Sequence, residues 1–181
     1  MELTLQNEHS RQENNRQKEN QAPKVLVFGN SGSGKSTLAN KLCISHSLAH
    51  LDLDTLAWLP DTPPKRSPLD FSVKQIDKFI QANTRWVIEG CYADLLKTVV
   101  TQADELVFMD LDIHQCQDNA RARAWEPHKY ASKQAQDENL DMLLQWIEDY
   151  SCRSDAFSYQ AHKMIFDEFK GEKTRYTDNP E

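Results

Sequence analysis

Residues 29–37 read GNSGSGKST, two fixed glycines followed by a lysine and hydroxyl residues. This spacing, GxxxxGK[ST], builds a cradle for a polyphosphate. Successive backbone N–H groups of a glycine-rich turn face inward, and the helix that starts just beyond presents its positive end to the same anion. Lys35 supplies a compact cation for the outer phosphates, and Ser36 a hydroxyl for magnesium. Gly29 and Gly34 allow turns and close approach that a Cβ obstructs. The chemistry implied is binding of ATP or GTP with Mg2+. The contact set is Gly29, Asn30, Ser31, Gly32, Ser33, Gly34, Lys35, Ser36 and Thr37.

A phosphate cradle alone does not separate kinases from switches or motors, so the remaining strand ends carry the discrimination. Ligands of open parallel sheets sit at the carboxyl ends of strands. HLDLDTLAW closes an apolar segment with Asp52 and Asp54. Asp52 is assigned to magnesium and Asp54 to an acceptor, whose hydroxyl it would hold and deprotonate. Asp54 ahead of TLAW is also a suitable helix cap. EGCY follows another apolar run: Glu89 ends it, Gly90 admits a close backbone approach, and Tyr92 can lie along a bound molecule. An ordinary strand-to-helix turn is the alternative there.

Phosphoryl transfer needs positive charge over the migrating group, and planar guanidinium forks suit that task. Arg123 and Arg153 are the candidates for catalysis and Arg121 for a nucleotide contact. Two residues apart, Arg121 and Arg123 cannot share a helix face, so at most one of them points at phosphate. Surface exposure is the plain alternative for all three. Asp110 and Asp112 end a further apolar run and either orient magnesium through water or cap the next helix. Trp86 reads as core and Trp58 as a wall of the acceptor pocket. The histidines fall at no metal-ligand spacing.

These groups require a scaffold, and the hydrophobic pattern describes one. VLVF after Lys24 is a buried strand, and residues 35–45 alternate at helical spacing. Apolar pieces at 49–53, 86–89 and 105–111 read as further strands, separated by helical patterns at 71–83 and 93–101. Beyond them lie a helix at 113–124, a polar stretch at 125–137 and an amphipathic helix at 138–150. A helix at 159–169 and a short fifth strand at 173–177 complete the pattern. The expected organisation is a polar disordered tail at 1–22, then one domain at 23–181 with an excursion at about 121–153.

Composition narrows the partners. With 21 Lys and Arg against 28 Asp and Glu, the net charge of -7 disfavours nonspecific nucleic-acid binding. Cys43, Cys91, Cys116 and Cys152 show no CxxC spacing and no secretory signal precedes them, so reduced thiols in a cytoplasm are expected. No apolar stretch approaches the length of a membrane span. Lys65 and Arg66 are the only basic pair placed to meet an acceptor phosphate before the third strand, which favours a neutral hydroxyl acceptor over a nucleoside monophosphate.

Taken together, GNSGSGKST, HLDLDTLAW, WVIEGCY and ELVFMDLD resemble the small P-loop kinases that act on adenylate, shikimate and gluconate. More narrowly they resemble the FlaR-like group, often labelled DNA topology modulation proteins. The resemblance spans roughly residues 24–169. It implies a three-layer α/β P-loop NTPase fold with a five-stranded parallel sheet in order 2-3-1-4-5 and a helical lid. It also implies ATP and Mg2+ as cofactors, a small-molecule acceptor as partner, and an acceptor pocket over strands two and three. Lys35 and Ser36 match the ATP and magnesium positions, Asp54 and Gly90 the acceptor side, and Arg123 and Arg153 the lid arginines loosely. The lid of that group is usually basic, whereas here AWEPHKYASKQAQDENL carries several acids. Phosphotransfer to an acceptor is the expected activity; a nucleotide-binding regulator or slow ATPase working through a protein partner is the alternative. Whether the chain is a monomer or a homodimer is left open.

Overall fold

A computed structural model describes residues 23–59, 65–127 and 130–180. The polar tail at 1–22 lies outside the described residues. Five strands, β1 (Lys24–Gly29), β2 (Ala49–Asp52), β3 (Trp86–Gly90), β4 (Glu105–Met109) and β5 (Glu172–Tyr176), form one sheet. Its order is β2-β3-β1-β4-β5, and every pair is parallel. The expected topology is therefore the one observed.

The sheet separates two cores, which is why its central strands read as continuous apolar runs rather than as alternating ones. On one face Val25, Val27, Val87, Val107 and Met109 pack with Leu38 and Ala39 of α1 (Lys35–His46). On the other, Leu26, Phe28, Trp86, Ile88 and Phe108 meet Ile76 of α2 (Leu69–Ala82), Leu95 and Leu96 of α3 (Ala93–Val99), and Ile165 of α7 (Tyr159–Glu168). The edge strands β2 and β5 are only partly buried. Trp86 is fully buried, as its position in the pattern requires.

Two stretches depart from the sequence expectation. The helix after β4, α4 (Ile113–Arg121), stops at Arg121 rather than 124, the chain turning at Ala122. Within the stretch expected to be merely polar, α5 (Lys133–Glu138) forms. It buries nothing, so hydrophobic periodicity gives no sign of it. Ser132 caps its Ala135 N–H, and Lys133–Asp137 and Gln134–Glu138 pair one turn apart. Then α6 (Leu140–Glu148) runs into a short 3-10 turn and packs against α4. Between β2 and α2 the chain makes a single helical turn at Asp54–Ala57 and a two-residue antiparallel ladder, Trp58–Leu59 against Lys65–Arg66.

Candidate functional site

The glycine loop follows β1 directly. At Gly32 (φ +75°) a Cβ would lie 2.2 Å from the carbonyl oxygen of Cys116, so the loop lies hard against α4. Gly29 is pressed against Met109 in the same way. Gly34 (φ +84°) turns the chain into α1 in a left-handed conformation. No side chain caps that helix and no acid sits in its first turn. The first-turn amides therefore keep their donors and the positive end of the helix stays uncompensated, which suits an incoming anion. Lys35, almost fully buried, donates to the Asn30 carbonyl at 2.7 Å across the mouth of the loop. Asn30 in turn donates its side-chain amide to the Ile147 carbonyl at the end of α6, at 2.9 Å. Asn119 of α4 donates to the Gly32 carbonyl at 2.9 Å.

A cavity of about 380 Å³ opens beside the first turn of α1. Gly34, Thr37, Lys41, Asn119, Arg123 and Pro180 are among its walls. Asn119 and Asn179 exchange amide hydrogen bonds at 3.0 and 3.2 Å there. The structure thus brings Arg123 to the cavity and leaves Arg121 off its walls. Arg121 pairs with Asp118 along the outer face of α4. Sequence spacing pointed to neither Asn119 nor Asn179.

At the end of β2 the two aspartates separate. An extended chain would put residues two apart on one face of the sheet. The helical turn that begins at Asp54 is what parts them. Asp52 Oδ1 accepts the Asp54 N–H at 2.8 Å just ahead of that turn, and Asp54 is its first residue rather than its cap. Asp54 Oδ1 accepts the Tyr92 hydroxyl at 2.6 Å, and that hydroxyl accepts the Trp58 indole N–H at 2.7 Å. Burial and the nearby Asp54 carboxylate push the Tyr92 phenol well above its usual range, keeping it a donor. Gly90 packs tightly under Leu53, where a Cβ would fall 2.9 Å from the Leu53 Cβ.

Glu89 lies on a definite face of the sheet. Grouped from sequence with the acceptor side, it stands in register with Asp52 and Val27, on the face of the sheet that carries α1. It is buried, its Oε1 finds no hydrogen-bond partner, and the His50 ring nitrogen lies 3.8 Å away. Asp52 and Glu89 are thus neighbouring carboxylates on the phosphate-loop side. Of the two acids ending β4, Asp112 caps α4 through His114 N at 2.8 Å, and Asp110 pairs with Arg175. Among the described residues no three His, Cys, Asp or Glu side chains gather closely enough to hold a metal by themselves.

Arg66 and Arg153 meet around one ring. Each guanidinium carbon lies 5.1 Å from the centroid of Phe157. Arg66 also covers Tyr92 at 4.8 Å and pairs with Asp94 at 2.8 Å; Arg153 stacks on Trp146 at 3.7 Å and pairs with Asp155 at 2.6 Å. Trp58 lies nearly parallel to Phe157, with a 10° angle between the ring planes. Two cations from distant parts of the chain therefore flank the aromatic wall beside Asp54. Sequence flagged each of them separately and gave no sign that they converge.

Behind this wall sits His162, fully buried, its imidazole pushed down to about 3 by desolvation. Its Nε2 lies 3.0 Å from the Cys91 carbonyl, which can only accept, so Nε2 carries the proton. Nδ1 then accepts the Tyr150 hydroxyl at 2.7 Å. Burial also pushes the Cys91 thiol up to about 12 and removes it as a nucleophile.

No protein-family model matches the chain, and no curated protein does. Among solved structures it is similar to a shikimate kinase from Acinetobacter baumannii in complex with shikimate, at 12% identity and a TM-score of 0.54. That match covers 88% of this chain and 86% of the other. A gluconokinase from Sinorhizobium meliloti 1021 matches at 15% identity and a TM-score of 0.46, covering 76% of this chain and 81% of the other. No helix among the described residues is long and apolar enough to cross a membrane. The sheet order, the GNSGSGKST loop leading into α1 and the similarity to the shikimate kinase together establish that this chain has the P-loop kinase fold.

Proposed function

We propose that this chain is an ATP-dependent phosphotransferase that moves the γ-phosphoryl group to a hydroxyl of a small acceptor. One observation carries the reading: Asp54, oriented by the Tyr92 hydroxyl at 2.6 Å, follows the strand whose last residue, Asp52, is in register with Glu89 on the phosphate-loop face. A nucleotide switch has no need of an oriented carboxylate there, whereas a kinase needs one to hold and deprotonate its acceptor.

In this reading Lys35 exchanges the Asn30 carbonyl for the outer phosphates while the first-turn amides of α1 take their oxygens. Lys41, Asn119, Arg123 and Asn179 surround the base and ribose side. The donor chemistry suits a magnesium ion: the Ser36 hydroxyl opens the first turn of α1, and Asp52 stands in register with Glu89, whose Oε1 has no hydrogen-bond partner. Such an ion, held mainly by phosphates and water, would neutralise charge on the transferring group. Asp54 receives the acceptor proton, and Gly90 and Trp58 shape the pocket. Arg153 serves the acceptor end of the lid at 121–153 and Arg123 its nucleotide end.

The pair Arg66 and Arg153 beside Phe157 supports a charged acceptor as an alternative to the neutral one. An acceptor that carries a carboxylate or phosphate besides its hydroxyl could compete for these two guanidinium groups with Asp94 and Asp155, which hold them in the empty protein. The structural likeness to a shikimate kinase supports the transfer chemistry, and the missing basic lid supports a slow rate. A regulator or slow ATPase remains the second reading, favoured by the lid acids alone. The test is ADP release with magnesium ATP against a panel of hydroxylated carboxylates and nucleoside monophosphates. Release that requires one acceptor and disappears in Asp54→Asn supports the kinase. Hydrolysis that ignores both the panel and the substitution refutes it.

A further inference from the structure

Arg123 reaches the nucleotide cavity with its charge already engaged. Its Nη1 donates to Glu126 Oε2 at 3.2 Å, and both side chains are mostly shielded, 32% and 21% exposed. The carboxylate is not there by chance of a loose loop. The side-chain amide of Gln136 grips the backbone around it, accepting the Glu126 N–H at 2.8 Å and donating to the Ala124 carbonyl at 3.2 Å. The Glu126 carbonyl accepts from Tyr130 N at 3.0 Å. A helix that buries nothing, α5, thus presents one side chain that fixes an acid against the cavity's arginine.

A guanidinium facing a carboxylate at this distance offers little net charge to a polyphosphate. Lys41, the other cation on the cavity wall, donates to the Pro180 carbonyl and keeps its charge. Among the described residues the cavity wall therefore carries two cations, of which one is masked by an acid of the same stretch.

We propose that Glu126 is an internal competitor for Arg123. It occupies the guanidinium in the unliganded protein, and nucleotide phosphates must displace it, so its carboxylate sets the affinity for the more highly charged nucleotides. This inference rests on the nucleotide reading of the cavity.

Isothermal titration of the full chain with magnesium ATP, ADP and adenosine tests it. In Glu126→Gln, which keeps shape and removes charge, ATP binding should tighten about three- to tenfold, as a half-shielded ion pair allows. The gain should shrink for ADP and vanish for adenosine. In an Arg123→Gln background the same substitution should lose most of that gain, since the Arg123 pair no longer exists. An equal gain for adenosine, or unchanged or weaker ATP binding in folded Glu126→Gln, overturns the competition while leaving nucleotide binding intact. Absence of ATP binding in the wild-type chain overturns both.

Discussion

Tyr92 points its hydroxyl at Asp54 from 38 residues away in the chain, at 2.6 Å, and is itself held by the Trp58 indole. A tyrosine from one segment and a tryptophan just beyond the turn thereby fix one carboxylate. Tyr92→Phe removes the middle member. We expect acceptor-dependent ADP release to fall about ten- to hundredfold through kcat, the usual effect of a misplaced catalytic group. The KM for ATP should stay the same, because the phosphate loop is untouched. Steady-state kinetics check this, and an unchanged kcat would remove Asp54 from the reaction.

Glu89 carries a buried oxygen without a hydrogen-bond partner, a costly arrangement for an unliganded protein. Glu89→Gln should raise the thermal midpoint of the empty chain by a few degrees. It should also raise the magnesium concentration needed for half-maximal ATP binding by about tenfold, the typical effect of losing a group that orients a metal's ligands. A lower midpoint with unaltered magnesium dependence would make Glu89 a structural residue only.

Two glycines of the loop should differ in how they answer alanine. At Gly32 the new Cβ meets the Cys116 carbonyl at 2.2 Å, with positive φ besides. At Gly34 the nearest atom lies 3.7 Å away, so only the left-handed backbone is disfavoured. Gly34→Ala should cost about 1–2 kcal/mol, and Gly32→Ala roughly twice that, because α4 must shift as well. Urea unfolding gives both numbers, and equal costs would mean the loop does not press on α4 in solution.

His162 gives the fold a pH dependence of known sign. Its folded imidazole protonates only near 3, against an ordinary 6.5, because burial disfavours the cation. Between those values the unfolded chain binds the extra proton, so stability falls as pH drops below about 6.5 and is flat above it. Relative to His162→Gln, the wild type should lose about 2 kcal/mol between pH 7 and pH 5. Parallel urea titrations of the two proteins at both pH values measure the difference; parallel curves would show that the ring is solvated.

The phosphate loop was legible because its signal is local: glycine spacing, one lysine and the strand and helix on either side sit within a short stretch. The strands were legible for a similar reason, since burial on both faces leaves an uninterrupted apolar run. The face that Glu89 occupies was not legible, because it depends on register with Asp52 and Val27, which no single segment contains. The convergence of Arg66 and Arg153 on Phe157 is hidden for the same reason. Helix α5 escaped because it has no buried face to generate a period, and its stability rests on Ser132 and two surface pairs. His162 carried no motif at all. Its importance comes from being placed between Tyr150 and the Cys91 carbonyl, a relation that only the packed α7 creates.

The bond from Asn30 to the Ile147 carbonyl has a mechanical consequence. Together with the Tyr150–His162 contact, it fastens the far end of the excursion to the phosphate loop and to the acceptor turn at once. Displacing the end of α6 therefore breaks the Asn30 bond at the phosphate loop, so the two segments are mechanically coupled through a single amide.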